Sequence, residues 1–508
     1  MRMWNKAVLS GLMCSLVLTG CATSTASSAS TAAKEENYDV VVVGAGGAGL
    51  SAAIEAYDAG AKVIVLEKME IAGGNTNRAS GGMNASETSV EKENGVEDSN
   101  DLFYEDTMKG GYEKNDPALV RYLVDHSAEA IDWLKSLGVN LTGLSISGGQ
   151  SAKRTHTPED GSAVGGYLVE HLVENLDDRG VEIVYNTKAD AFITDADGKV
   201  TGVTAETEDG TVTYHAKSVV LATGGFGANE EMFTKYRPEL KGYVTTNHAG
   251  ATGDGIVMAQ EIVAGTVGLD VVQLMPSSSP IKGTMTDGIW GDASQQIWID
   301  GEGNRFVNEY AERDVLAKAS LALDNGIFYI IYAGKDVNEN GELQGATLED
   351  GLFGTTVQSM VDNGHVWYGS TLKELAENSK TSAGGAAPAF SEEALRATIE
   401  KYNTYVANQK DDDFGKEVLA GAIDIDAIEN NPDAGFVISP RKASIHHTMG
   451  GVQINTNAEV LDESGNAIDG LWAAGEVTGG IHAGNRLGGN AVADIFTFGH
   501  IAGASAAQ

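Results

Sequence analysis

Tyr38 to Val43 is an unbroken apolar, β-branched run, and a run without alternation predicts a strand covered on both faces, as in a parallel sheet. Gly44-Ala45-Gly46-Gly47-Ala48-Gly49 follows. Leu50 to Ala59 then has helical character, and Lys62 to Leu66 is a second apolar run ending in Glu67. Strand, glycine turn, helix and strand open a doubly wound α/β sheet. Gly44, Gly46 and Gly49, with Ala48 between them, suit a tight turn, close backbone approach to a pyrophosphate and close helix packing. An acid roughly 20 residues on, here Glu67, can accept from a ribose hydroxyl.

Glycine turns recur at Ala72-Gly73-Gly74-Asn75-Thr76 and at Ala79-Ser80-Gly81-Gly82. Others close the apolar run Val219 to Thr223, span Gly250 to Gly255 around Asp254, and follow Leu471-Trp472-Ala473-Ala474-Gly475-Glu476. A nicotinamide module needs one local fingerprint. Turns contributed from both ends of the chain suit a larger, more buried dinucleotide, FAD.

The N-terminus follows a different pattern. Arg2 and Lys6 precede the apolar stretch Ala7 to Leu18, too short to span a bilayer well, and Leu18-Thr19-Gly20-Cys21 closes it. This resembles the bacterial lipoprotein signal, which implies cleavage and lipidation at Cys21. Residues 1–21 are thus expected to be a signal peptide, and the Ser/Thr/Ala-rich residues 22–36 a flexible tether. The expected location is extracytoplasmic, with the membrane reached through the lipid alone. An ordinary signal peptide or start-transfer anchor would also place the protein outside the cytoplasmic membrane.

Composition narrows the function classes. The 508 residues suggest two domains or one with a large insertion. Their net charge of −38 argues against nucleic acid as a partner. The only two cysteines are Cys14 and Cys21. The mature domain therefore has no disulfide, no cysteine-ligated iron–sulfur cluster and no C-x-x-C-H haem site. No metal site is expected.

Candidate chemistry lies near the C-terminus. His446-His447-Thr448-Met449-Gly450-Gly451 and Asn485-Arg486-Leu487-Gly488-Gly489-Asn490 set a histidine pair and an arginine on glycine turns. An arginine fork and an imidazole are suitable donors for a carboxylate, and glycines let backbone approach a flat ligand. Each piece alone also reads as a core or turn element.

From about residue 37 to the end, the order of these segments resembles the flavoprotein of the fumarate reductase family, and most of all its soluble flavocytochrome fumarate reductase and urocanate reductase branch. The resemblance implies a glutathione-reductase-type FAD domain in two parts, 37–270 and 447–508, interrupted by an α+β clamp domain over 271–446. FAD contacts are implied at Gly44, Gly46, Ala48, Gly49, Glu67, Asn75, Thr76, Gly81, Gly82, Asp254, Glu476, Ala491 and Val492. Some relatives attach FAD through a histidine after the ribose-binding acid. Residues 68–84 contain no histidine, so the FAD is expected to be non-covalent. His447 and Arg486, with Gly489, match the substrate-carboxylate site, and Arg313 in Arg305-Phe306-Val307-Asn308-Glu309-Tyr310-Ala311-Glu312-Arg313-Asp314 matches the proton donor. The plain alternative for Arg313 is a surface helix residue paired with Glu309 at i,i+4.

The chain departs from fumarate reductases at the distal carboxylate. Met275 stands where they carry a histidine, Thr286-Asp287 stands for a Thr-Glu pair, and Trp290 replaces the relay arginine. Met275 and Trp290 could equally be core packing. If these four line the site, the distal end is less basic than a dicarboxylate needs. The expected activity is FAD-dependent reduction of the C=C bond of a urocanate-, cinnamate- or acrylate-like enoate, as a terminal electron acceptor in anaerobic respiration. Fumarate is the alternative substrate. A flavin steroid dehydrogenase or a non-catalytic binding lipoprotein are the readings from other classes. Without a haem motif or a separate FMN-attachment domain, electrons are expected from a separate extracytoplasmic donor, a flavinylated protein or a cytochrome.

Overall fold

The computed structural model describes residues 34–289, 293–352 and 355–508. The valine run Val40–Val43 is buried on both faces at the centre of a six-stranded sheet. The strands lie in the order Glu459–Leu461, Ala467–Ala473, Ser218–Leu221, Val40–Val43, Val63–Leu66, Glu182–Val184, and only the first edge strand is antiparallel. Continuous apolar strands need cover on both sides. The helices Gly47–Asp58 and Asn490–Ala506 pack against each other and against this sheet, with Leu50, Ile54, Phe496 and Phe498 fully buried. The sheet is therefore closed by the last helix of the chain as well as the first.

A smaller sheet, Lys34–Asn37, Gly210–His215, Val200–Thr207 and Lys188–Thr194, lies beside it. Lys34 to Glu36, expected to be tether, belong to an edge strand because their backbone pairs in parallel with Val212 to Tyr214.

The second unit is built on an antiparallel sheet of Val272–Ser278, Phe436–Thr448, Ile327–Tyr332 and Ile297–Ile299, with Trp367–Gly369 also paired to Phe436–Thr448. Its core is separate: Leu395, Ile399 and Tyr402 of the helix Glu392–Asn408 pack on Ile297, Ile299 and Ile438. The 13-residue strand Phe436–Thr448 runs through the expected boundary at 446 and delivers His447 to the first unit. No described helix is long and apolar enough to cross a membrane.

Candidate active site

One cavity of about 850 Å³ runs from the end of Val63–Leu66 to the junction of the two units. At its head, Gly44, Gly46 and Ala48 line the wall where the helix Gly47–Asp58 begins, and Gly46 caps that helix without any side-chain hydrogen bond. Apart from Gly47 N, which donates to Thr76 Oγ1, the first-turn N–H groups are thus left for an anion. Gly49 does not line the cavity. It lies against the loop from below, where a Cβ would fall 1.9 Å from the Gly44 carbonyl oxygen. Gly49→Val is therefore expected to purify with most of its flavin absorbance missing; a full flavin content would show that the turn tolerates a side chain.

Glu67 is buried and lines the cavity, its Oε2 accepting from Ala45 N and its Oε1 from Met69 N, both at 2.9 Å. Asp254 lines the same end, held by Lys68 Nζ at 2.5 Å and Lys188 Nζ at 3.7 Å. Neither lysine was singled out from the sequence; Lys68, next to Glu67, carried the only local signal. Asn75 and Thr76 line the middle, where Thr76 Oγ1 accepts from Gly47 N at 3.0 Å and Asn75 Oδ1 from His248 N at 2.7 Å. Gly81, Gly82, Ala491 and Val492 complete that stretch.

Glu476 joins the cavity's two ends. Its Oε1 accepts from Thr448 N at 2.9 Å and from Thr448 Oγ1 at 3.0 Å, and its Oε2 accepts from Asn75 Nδ2 at 3.2 Å. Burial pushes its carboxyl up, while those donors and Arg486 oppose the shift. With both oxygens so engaged, it acts as a strut between the cofactor turn and the histidine turn.

At the far end, His447 lies opposite Gln273 in the strand pair, and Gln273 Nε2 donates to Asn485 Oδ1 at 2.6 Å and to the Arg486 carbonyl at 2.9 Å. That glutamine fixes the arginine loop to the strand. Arg486 is buried, and its Nε has no hydrogen-bond partner. Burial and the nearby Arg313 push its guanidinium down to about 9. His446 also lines the cavity, with Nδ1 2.8 Å from Thr246 Oγ1. Burial and the charge of Arg486 hold both histidines well below the ordinary value, so both are neutral imidazoles at pH 7. His446 was part of the sequence motif but was given no role there.

Arg313 opens the helix Arg313–Leu321 and faces the same space. Glu309 lies before that helix begins, so no i,i+4 pair forms. Its carboxylate is taken by Arg305 at 2.7 and 2.8 Å and by Lys416 at 3.6 Å. Among the described residues Arg313 has no acidic partner, and burial lowers its pKa.

Met275, Met285 and Thr286 supply wall from the second unit, Ser147 and Gly489 from the first. Asp287, expected on the substrate, does not line this cavity. Its carboxylate turns to Lys282 Nζ at 3.4 Å and His365 Nε2 at 3.9 Å, and it lines a separate polar cavity of about 180 Å³ that Thr286 shares. Trp290 and Cys21 lie outside the described residues.

A doubly wound sheet, a helix N-terminus after the strand Val40–Val43 and one long cavity lined from Val43 to Ile495 define a FAD-binding flavoprotein. The model of the FAD binding domain family matches residues 39–492. NADH:fumarate oxidoreductase of Klebsiella pneumoniae (strain 342) is 42% identical over 94% of this chain and 48% of its own length. Urocanate reductase of Eggerthella lenta is 36% identical over 93% of this chain and 75% of its own length. The solved open conformation of a flavocytochrome c3 fumarate reductase superposes with a TM-score of 0.75 at 36% identity, covering 93% of this chain and 78% of that one. The chain belongs to the fumarate reductase flavoprotein family. It spans about half the length of the NADH:fumarate oxidoreductase.

Proposed function

We propose that the chain reduces the C=C bond of an α,β-unsaturated carboxylate. The observation that carries this is the convergence of Arg486 and Arg313 on one cavity, beside a neutral His447 and without an acid paired to either arginine among the described residues. Buried cations are normally paired, so the buried, unpaired Arg486, with the half-buried Arg313 facing the same space, indicates an anionic ligand. FAD, when bound, supplies the two electrons as a hydride to the β-carbon. Arg486 and His447 grip the carboxylate, and their donors strengthen as negative charge grows there in the transition state. Arg313 delivers the proton to the α-carbon. A guanidinium is a weak acid in water, but burial beside a second cation eases proton loss, and a carbanion is strongly basic.

For the substrate we propose an enoate with one clamped carboxylate and a neutral or aromatic far end, because Met275 and Met285 line the wall. Urocanate-, cinnamate- and acrylate-like acids fit that wall. Fumarate is the second reading, favoured by Thr286 on the same wall and by the name of the 42% identical relative. A substrate panel with a reduced viologen dye decides: a monocarboxylic enoate is expected to give the highest kcat/KM. Fumarate outperforming every monocarboxylic acid would overturn the apolar-pocket proposal. A protein purified without flavin absorbance would instead support the binding-lipoprotein alternative.

Lipid anchoring at Cys21, an extracytoplasmic site and a separate donor, flavinylated or haem-bearing, complete the proposal. They rest on the leader pattern and on the lack of a C-x-x-C-H site in these 508 residues.

A further inference from the structure

Arg441 stands within the strand Phe436–Thr448, five residues before His446, and is fully buried. Its Nε donates to Ser277 Oγ at 3.0 Å, its Nη2 to the carbonyls of Ser277 at 3.0 Å and Met285 at 3.1 Å, and its Nη1 to the Asp287 carbonyl at 3.1 Å. No carboxylate is among these acceptors. Burying a guanidinium for backbone carbonyls is a poor route to stability, and an apolar side chain of similar volume often serves better. The role of Arg441 therefore lies in what it holds.

It holds the segment that supplies the cavity's clamp-side wall. Met285 and Thr286 line the main cavity, and Thr286 with Asp287 lines the small side cavity. The next residues fit against the same strand. A Cβ on Gly288 would fall 2.3 Å from Arg441 Nη1 and 2.7 Å from Ser439 Oγ, and Ile289 N donates to Ser439 Oγ at 2.9 Å. The loop is thus stapled to the strand that carries His446 and His447. His447 of the carboxylate anchor and the loop carrying Met285 and Thr286 are therefore fixed to one strand, and a planar fork with several donors can hold two carbonyls of a loop at once.

We propose that Arg441 is a positioning residue that sets which enoates the enzyme accepts, by fixing Met285 and Thr286 as the wall against the substituent on the β-carbon. This rests on the enoate-reductase reading above. The test uses the flavin-loaded full chain with a reduced dye, comparing wild type with R441M and R441K. The substrates are acrylate, which has no β-substituent, and enoates carrying one: fumarate, urocanate and cinnamate.

In both variants the KM of the best β-substituted enoate is expected to rise roughly tenfold or more. Acrylate KM and kcat should stay within about threefold, because the anchor is untouched. A residue that merely supported the fold would move every substrate together. Equal changes across the panel, or none, overturn the proposal. Loss of bound flavin in both variants also overturns it, since Arg441 would then support the unit as a whole. A wild type inactive on every enoate overturns the reductase reading and this proposal with it; an active wild type with an unaltered variant profile overturns this proposal alone.

Discussion

Arg313→Ala is expected to lower kcat by about a thousandfold, within the 10²–10⁴ range for losing a positioned acid, while the purified protein stays yellow. Flavin retention follows from the fold: the cradle is built by Gly44, Gly46, Glu67, Asn75 and Asp254 in the first unit, whereas Arg313 opens a helix of the second. KM is expected to change only a few-fold, because Arg486 and His447 still hold the carboxylate. A second effect separates this outcome from general damage. Arg313 is one of the charges that depress Arg486, so its removal raises the pKa of Arg486 and moves the alkaline limit of product binding to higher pH. The measurements are steady-state kinetics with a reduced dye, a visible spectrum and a pH titration of product binding. Undiminished turnover would remove Arg313 from the chemistry and favour the steroid-dehydrogenase alternative.

The other large effect belongs to Arg486. Its guanidinium, pushed down to about 9 by burial first and by Arg313 second, must be charged to receive a carboxylate. In the ligand-free enzyme that charge is complete well below pH 9 and is lost as pH rises through it. The expected kcat/KM is flat near neutrality and falls about tenfold per unit on the alkaline side, since this parameter reports the free enzyme. The histidines add no rise in this range, being neutral already at pH 7. Arg486→Gln removes the cation and leaves a buried carboxylate without its main partner, a loss of about 3–5 kcal/mol. That corresponds to a kcat/KM drop of roughly 10²–10⁴. A profile unchanged through pH 10 in the wild type, or a near-normal glutamine variant, would show that the carboxylate is bound elsewhere.

The sequence made some of this legible because the relevant signals are local. The valine strand, the glycine turn and Glu67 lie in one continuous stretch, and their order implies their arrangement. The histidine turn and the Arg486 turn are likewise short contiguous motifs. What stayed hidden depends on side-chain direction and on partners distant in sequence. Asp254 meets Lys68 and Lys188 only because the helix Asp254–Glu261 lies beside the strand Lys188–Thr194. Asp287 follows Thr286, yet the loop turns its carboxylate out of the main cavity toward His365. Glu309 sits four residues before Arg313, but the helix starts only at Arg313, so the helical spacing does not apply. Arg441, between Pro440 and Lys442, carries no local signal and is nevertheless fully buried, with all its hydrogen bonds to groups of distant segments.

The proton donor and the arginine that grips the carboxylate reach the cavity from elements far apart in the chain. Arg313 opens the helix Arg313–Leu321 of the second unit, whereas Arg486 hangs from the loop before the helix Asn490–Ala506 of the first, a loop that Gln273 of the second unit ties to the strand beside His447. The distance between acid and carboxylate is therefore set across the seam of the two units, and Gln273 is a side chain that bridges that seam.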